Sequence, residues 1–415
     1  MYHRHFRFAT LSLMGLLLAT SGTPRASAVE PPPLSVPGSK SPLYVALDLP
    51  QDLQPSPTGS LKLVEVGRPD ESAAAQLAAS VATDGDLARS QGRLLAVIPP
   101  RADAGPTRQF KLLPGKTPAG EDGFQWKPTS DKSLGLYQSG RPVLVYNFGV
   151  ITNEKVPASE SRRSRACYVH PVWGLNGEVL TDDFPKDHYH HHGIFWTWPH
   201  VGIDGKEYDL WLGHGIRQQF VRWLDRQAGP LAAVLGVENG WYVGQKKVMV
   251  ERVWLRAYRA ADDHRVLDID LTFIPQGSPV TLRGAEGKSY GGLSMRFLPG
   301  PRKTTLITVP SGPAKDDLPD TPLAWADFTS QFLGAASPSG GAIFIDPGHP
   351  DYPPTWLTRY YGALCVGWPG VHAKTFPPDV PIRMSYRLWI HKAAVDPAQL
   401  HAAYDAYGEG KKAAW

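Results

Sequence analysis

Between about residue 133 and Lys392 the chain is a succession of short β-branched and aromatic stretches cut by Gly, Pro, Asn and Asp, with no helix-length segment between them. Neighbouring parallel strands need a crossover of a dozen or more residues, usually helical, so this pattern excludes βαβ winding and leaves an antiparallel sandwich or barrel. ERVWLRAYRA, VLDIDLTFI, TTLITV, GAIFID, GALCVGW and IRMSYRLWI are the clearest strands. VLDIDLTFI and RMSYRLWI alternate apolar with polar residues, which predicts one face on the core and one toward solvent. The expected fold class is all-β, a large antiparallel β-sandwich over residues 133–395 that carries the chemistry. Asp396 and Pro397 then supply an N-cap and a first-turn proline for one closing helix, Ala398–Tyr407, stopped by Gly408 within a tail that ends at 415.

Ahead of this domain, LYVALDL, LKLVEV, RLLAVI and RQFKLL predict a small β-sandwich-like accessory module over residues 41–114, with Ala73–Ala82 as a possible short helix. The module has no histidine and no clustered acids, so it suits packing or substrate presentation. Residues 29–40 are Pro, Ser and Gly rich and read as a flexible leader, and residues 115–132 as a linker or edge hairpin. At the N-terminus, Arg4, His5 and Arg7 precede the apolar run Phe8–Ala19, and Ala26-Ser27-Ala28 fits a cleavage pattern. This predicts a signal peptide over residues 1–28 and export to the periplasm or beyond. No other stretch is long and apolar enough to span a membrane. Loss of Arg4, Arg7 and Arg25 with that peptide lowers the formal charge from +4 to +1, a balance that argues against nucleic acid as a partner. Cys167 and Cys365 are the only cysteines, and they fit one disulfide or two buried thiols equally well.

The acid–base capacity is concentrated in DDFPKDHYHHHGIFWTWPH, Asp182 to His200. Imidazoles titrate near neutrality and can donate, accept or ligate, so clustered histidines are costly to bury unless a site uses them. As extended chain the stretch places His188, His190 and His192 on one face and Asp187, Tyr189 and His191 on the other. Phe195, Trp196, Trp198 and Trp211 follow, and imidazoles beside indole faces suit a sugar pocket. A metal is the competing use: Asp182, Asp183 or Asp187 with several imidazoles could hold a divalent transition metal, with His170, His200 or His214 completing the shell. The spacing matches neither HExxH nor a cupin-like histidine pair.

Two later patches repeat the polar and aromatic theme. EGKSYGGLSMRF offers Glu286, Lys288, Tyr290 and Arg296 to hold a hydroxyl or carboxylate. IDPGHPDYPPTWLTRYYG offers His349, Asp351, Trp356, Arg359 and Tyr360 on a loop stiffened by Pro353-Pro354. No G-x-S-x-G elbow supports Ser-His-Asp hydrolysis, and no carboxylate pair stands out for glycosidase chemistry of the two-carboxylate kind.

The order of motifs, DHYHHHG, EGKSYGGLSMRF, AWADF, HPDYPPTWLTRYYGALCV and RMSYRLWIH, resembles an exported bacterial family of unknown function labelled methane oxygenase PmoA-like, over residues 140–392. In that family the first motif runs Asp-His-Pro-His-His-Arg-Gly, which falls on Asp187 to Gly193 with Tyr189 in place of proline and His192 in place of arginine. The methane label fits a membrane oxygenase, whereas the β-rich layout is similar to the super-sandwich of galactose-mutarotase-like proteins, a likeness that implies sugar ligands. The combined expectation is an exported enzyme for a carbohydrate or sugar derivative, with His188, His190 and His191 as acid–base groups and Asp187 orienting a ring. Trp196, Glu286, Lys288, Arg296, His349, Trp356 and Arg359 would hold the substrate. A non-catalytic carbohydrate-binding protein and a metal-dependent hydrolase or oxygenase are the alternatives. The expected partner is a small molecule or oligosaccharide, with oligomeric state left open.

Overall fold

A computed structural model describes residues 32–50, 61–78, 92–103, 105–115, 123–298 and 300–415. The expected signal peptide lies outside them.

Two nine-stranded sheets pack on either side of the main hydrophobic core, and every strand pair described in them is antiparallel. The first, here the site sheet, runs in the order Leu318–Pro322, Thr355–Arg359, Ala363–Gly367, Gly292–Arg296, Ile194–Thr197, Tyr168–Val172, Arg141–Asn147, Ser133–Gln138 and Phe124–Ser130. The second, the long-strand sheet, includes Ala232–Val243, Lys246–Tyr258, His264–Pro275 and Ile382–His391 in adjacent positions. Leu267, Ile269, Leu271 and Phe273 on alternate positions of one strand meet Trp196, Trp198, Met295 and Val366 from the site sheet and its margins. Aromatic side chains of this size bury roughly 150–250 Å² each, which makes Trp196, Trp198 and Trp241 principal fillers of the space between the sheets.

The long-strand sheet is covered on its other face too, contrary to the half-exposed strands expected of VLDIDLTFI and RMSYRLWI. Trp254, Tyr258, Val266, Trp325, Phe344 and Trp389 pack there against Tyr44 and Leu95 of an N-terminal sheet and against Leu400 and Tyr407 of the C-terminal helix. The polar positions of the alternation are therefore buried and must be paired. Arg387 donates from Nε to Asp268 Oδ1 at 2.7 Å and from Nη2 to Oδ2 at 3.0 Å, and Arg256 Nη1 lies 2.6 Å from Asp270 Oδ2.

The N-terminal sheet has six strands, Leu34–Pro37, Thr107–Pro114, Leu61–Glu65, Arg68–Ala78, Arg93–Ile98 and Leu43–Asp48 in spatial order. Three expectations change here. Ala73 to Ala78 is strand rather than helix, paired with Leu61–Glu65 on one side and Arg93–Ile98 on the other, and the remainder of that expected helix lies outside the described residues. Leu34–Pro37, expected as flexible leader, pairs with Thr107–Pro114 and buries Leu34 and Val36. Phe124–Ser130, expected as linker or edge hairpin, forms a hairpin with Ser133–Gln138 at the edge of the site sheet, so of the two readings the linker gives way.

The helix spans Pro397–Lys411 and opens on a capping box in which Asp396 accepts from Gln399 N while the Gln399 side chain accepts from Asp396 N. It passes through Gly408 instead of stopping there. Gly410 explains why glycine is retained so late: a Cβ on it would stand 2.8 Å from the Tyr44 carbonyl oxygen, so the missing side chain is what lets helix and sheet approach. Among the described residues no helix is long and apolar enough to cross a membrane. Cys167 and Cys365 are both buried and free, so no disulfide joins them.

Candidate functional site

Three neighbouring strands of the site sheet end where the histidine motif sits. The motif leads into Ile194–Thr197, Gly292–Arg296 pairs with that strand, and Ala363–Gly367 pairs with Gly292–Arg296. Gly193 is the joint: a Cβ there would lie 2.1 Å from the Val169 carbonyl oxygen, so only glycine lets the loop descend onto the sheet. Arg296 N donates to Gly193 O at 2.7 Å, which fixes the end of that strand beside the motif.

The motif is not extended. His188 N donates to Pro185 O and His191 N to His188 O, both at 2.9 Å, and Phe184 N reaches His191 O at 3.1 Å, closing a loop of successive turns. The alternate-face division expected from a strand therefore fails, because a turn brings residues three apart together. The His188 and His191 rings are stacked with centroids 4.6 Å apart and planes 8° apart, and His190 stands perpendicular to His191 at 4.7 Å. Tyr361, from the turn of the Arg359–Ala363 hairpin, stacks on His188 at 4.9 Å.

Asp187 and Arg296 complete this part of the site. Arg296 Nη2 lies 3.0 Å from each Asp187 oxygen, its Nη1 is 3.4 Å from His191 Nδ1, and its guanidinium covers the Tyr361 ring at 4.7 Å. Asp187 Oδ2 is also 3.0 Å from His188 Nδ1, with side-chain exposures of 43% and 34% that make this the accessible pair of the cluster. Burial alone would raise the Asp187 carboxyl, but His188 and Arg296 outweigh it and hold it below the usual range. His191 goes well below the ordinary imidazole value through burial, helped by His190 and Arg296. His190 is held down to about 3, again chiefly by burial.

A second carboxylate–imidazole pair lies behind the first. His192 Nδ1 is 2.7 Å from Asp183 Oδ1, and Tyr168 donates its hydroxyl to Asp183 Oδ2 at 2.8 Å. Burial, then Arg165, pushes His192 well down, while burial raises Asp183 to about 6 against the His170 and Tyr168 contacts. A neutral His192 gives its Nδ1–H to Asp183, which leaves Nε2 as a lone-pair acceptor. His192 and His190 line a cavity of about 210 Å³ that also takes in Arg162, Arg165, Trp211 and Gln218. A larger hollow, about 850 Å³, opens on the Asp183 side along His170, Glu178, Thr181 and Asp182.

The sequence-chosen residues divide accordingly. Asp187, His188, His190, His191 and Arg296 are brought together. Trp196 and Trp356 are both fully buried at 0% exposure and offer no stacking face, because the interior between the sheets has claimed them. Glu286 and Lys288 are exposed on the turn before Gly292–Arg296 and share no hydrogen bond or ion pair with the motif among the described residues. Arg359 ends the strand that leads into the Tyr361 turn, and its Nη1 lies 3.6 Å from Asp317. His349 packs against Trp368 and Tyr386, held down to about 4 by burial, and its contacts do not reach the motif. His200 pairs with Glu207 on an edge hairpin, and His214 is exposed. Among the described residues no three His, Cys, Asp or Glu side chains are grouped to hold a metal ion. Arg165, Tyr168, Tyr361 and the pairing of Asp183 with His192 escape sequence reasoning, since no fixed spacing announces contacts made through turns and neighbouring strands.

A family model described as "Family of unknown function (DUF6807)" matches residues 133–405, which include every residue of this site. That description carries no activity, so the methane oxygenase label of the resemblance gains no support from it. No curated protein matches the chain. Among solved structures the chain is similar to the α-galactosidase from Lactobacillus brevis, with TM-score 0.34 and 10% identity over 66% of this chain and 39% of that one. It is similar also to a GH36 α-galactosidase from Geobacillus stearothermophilus in complex with raffinose, with TM-score 0.31 and 11% identity over 65% of this chain and 40% of that one. The chain thus spans about two fifths of the length of either structure.

Proposed function

The chain belongs to the family of unknown function (DUF6807), and we propose that it is an exported enzyme acting on a carbohydrate or sugar derivative by imidazole general acid–base chemistry. The observation that supports this most is the doubling of one arrangement on one loop, with Asp187 3.0 Å from His188 and Asp183 2.7 Å from His192. Asp183 orients His192 through a hydrogen bond at one nitrogen and leaves the other for substrate, while Asp187 stands within ion-pair distance of His188, and each carboxylate can stabilise the imidazolium formed during transfer. His192 faces the cavity as a neutral acceptor suited to take a proton from a hydroxyl or an acidic C–H. His188, more accessible and beside an ionised carboxylate, is suited to carry a proton and return it. Where that second proton goes distinguishes epimerisation, elimination and hydrolysis.

Ser161, Ser164, Gln218 and His190 on the cavity wall supply the hydroxyl partners a sugar requires, in place of the tryptophan platforms now assigned to the core. General acid–base groups contribute about 10²–10⁴-fold to rate. Incubation of the purified protein with a panel of mono- and oligosaccharides, products read by mass spectrometry, should reveal turnover, and His192→Asn and His188→Asn should each lose at least about 100-fold in kcat/KM. Calorimetric binding without any product would make it a carbohydrate-binding protein instead, and undiminished turnover in both variants would remove the histidines from the chemistry.

A further inference from the structure

The 210 Å³ cavity has a one-signed wall. Arg162, Arg165 and Arg217 line it together with His190 and His192, and no carboxylate does. The three guanidinium groups are not equivalent. Arg162 is neutralised by Glu160, which faces it with both oxygens, and Arg217 is exposed and turned toward Gly244 O and the Tyr242 ring. Arg165 is different. Among the described residues no carboxylate lies within ion-pair distance of it, and its bonds go to neutral acceptors, Leu210 O at 2.9 Å and Gln218 Oε1 at 2.6 Å. Its Nε–H has no protein partner. Glu251 acts on it only from beyond Gln218, whose amide donates to that carboxylate at 2.7 Å, and Glu251 is further engaged by Trp241 and Asn239.

A guanidinium taken out of water without a counter-ion is expensive, and a site of this kind is stabilised when an anion enters. Arg165 has five N–H donors, of which two are used, so a planar carboxylate can still be gripped by several. The cavity is smaller than the roughly 300–1,000 Å³ of a drug-sized pocket, so it suits one sugar unit rather than a stretch of oligosaccharide.

We propose that this cavity is an anion subsite that takes the carboxylate of an acidic sugar, with Arg165 as its counter-ion and His190 and His192 against the adjoining carbon and hydroxyl groups. The assignment rests on the acid–base reading of the same loop and narrows its substrate class to uronic or aldonic acids. A carboxylate held there places the neighbouring C–H, acidified by that same group, next to a neutral imidazole, the relation that proton abstraction requires.

Binding tests it independently of turnover. Calorimetry on the full chain at low salt should show glucuronate or galacturonate binding at least tenfold more tightly than glucose or galactose, with affinity falling as salt rises. Arg165→Met should abolish that preference. Because Arg165 also braces Gln218, a second variant, Val150→Glu, places a carboxylate on the exposed rim of the cavity and should weaken uronate binding tenfold while leaving the neutral sugars unchanged. Equal affinity for neutral and acidic sugars, or uronate binding untouched by both variants, overturns the proposal. Tighter binding of inorganic phosphate or a sugar phosphate than of uronate overturns the carboxylate assignment. Uronate bound without product leaves the subsite standing and removes the enzyme reading, whereas turnover of neutral sugars with no preference for uronate does the reverse.

Discussion

Burial holds His190 down to about 3 and His349 to about 4, and takes His191 and His192 well below the ordinary imidazole value. In the unfolded chain the same rings take up protons near ~6.5. Below that pH the unfolded state binds more protons than the folded one, so the stability these rings contribute is complete above pH ~6.5 and is lost as the pH falls toward their folded values. Asp183 acts the other way, because its folded value of about 6 exceeds the unfolded one, and it stabilises increasingly as pH falls through 6. With several rings against the two raised carboxyls of the site, Asp183 and Asp182, thermal melting should show Tm falling from pH 6.5 toward 4. His190→Asn should flatten that fall and Asp183→Asn should steepen it; curves parallel to wild type would show that the rings are not buried neutral. The histidines were legible in the sequence as a cluster, but their partners were not. A ring's environment depends on which way a turn folds, and Tyr168 and Asp183 reach His192 through contacts with no periodic trace.

Elements carry a different kind of requirement. A Cβ on Gly193 would stand 2.1 Å from the Val169 carbonyl oxygen, so Gly193→Ala must push the loop off the sheet and separate Asp187 from Arg296. Overpacking of this sort costs about 1–3 kcal/mol. Urea unfolding should register that loss, and activity should fall further than stability does; a variant indistinguishable from wild type in both would mean the loop has another way to dock. On the far side of the long-strand sheet, Asp268 is buried against Arg387. Removing one partner of a buried pair costs about 3–5 kcal/mol, so Asp268→Asn should lower the urea midpoint sharply. The strands around these residues were readable from alternation, and so was the helix start at Asp396-Pro397. What alternation could not tell was whether the second face met water or another layer. Asp268 and Arg387 look like solvent-facing residues until the N-terminal sheet and the helix are laid over them, and Trp196 and Trp356 look like a binding platform until the second sheet closes.

At the scale of the molecule, the outer face of the long-strand sheet is apolar only because something covers it. Trp325, Phe344 and Trp389 lie under the helix residues Leu400 and Tyr407. A chain ended after Val395 would expose that surface, and patches larger than a few hundred Å² drive association. Light scattering should find the truncated protein aggregated while the full chain stays dispersed; a dispersed truncated protein would mean that the sheet face tolerates water. The proposed export requires cleavage after Ala28, so intact mass of the secreted protein should place its N-terminus at Val29; a full-length mass would overturn it. The site belongs to this scale as well, since Asp187 and Arg296 are 109 positions apart and Tyr361 follows later still. A chain emerging from synthesis holds all four motif histidines long before it holds Arg296, the partner of Asp187 and neighbour of His191, and contacts so distant in sequence form late. The Asp187 side of the motif is therefore without its arginine through much of the chain's making and gains it only as the sandwich closes.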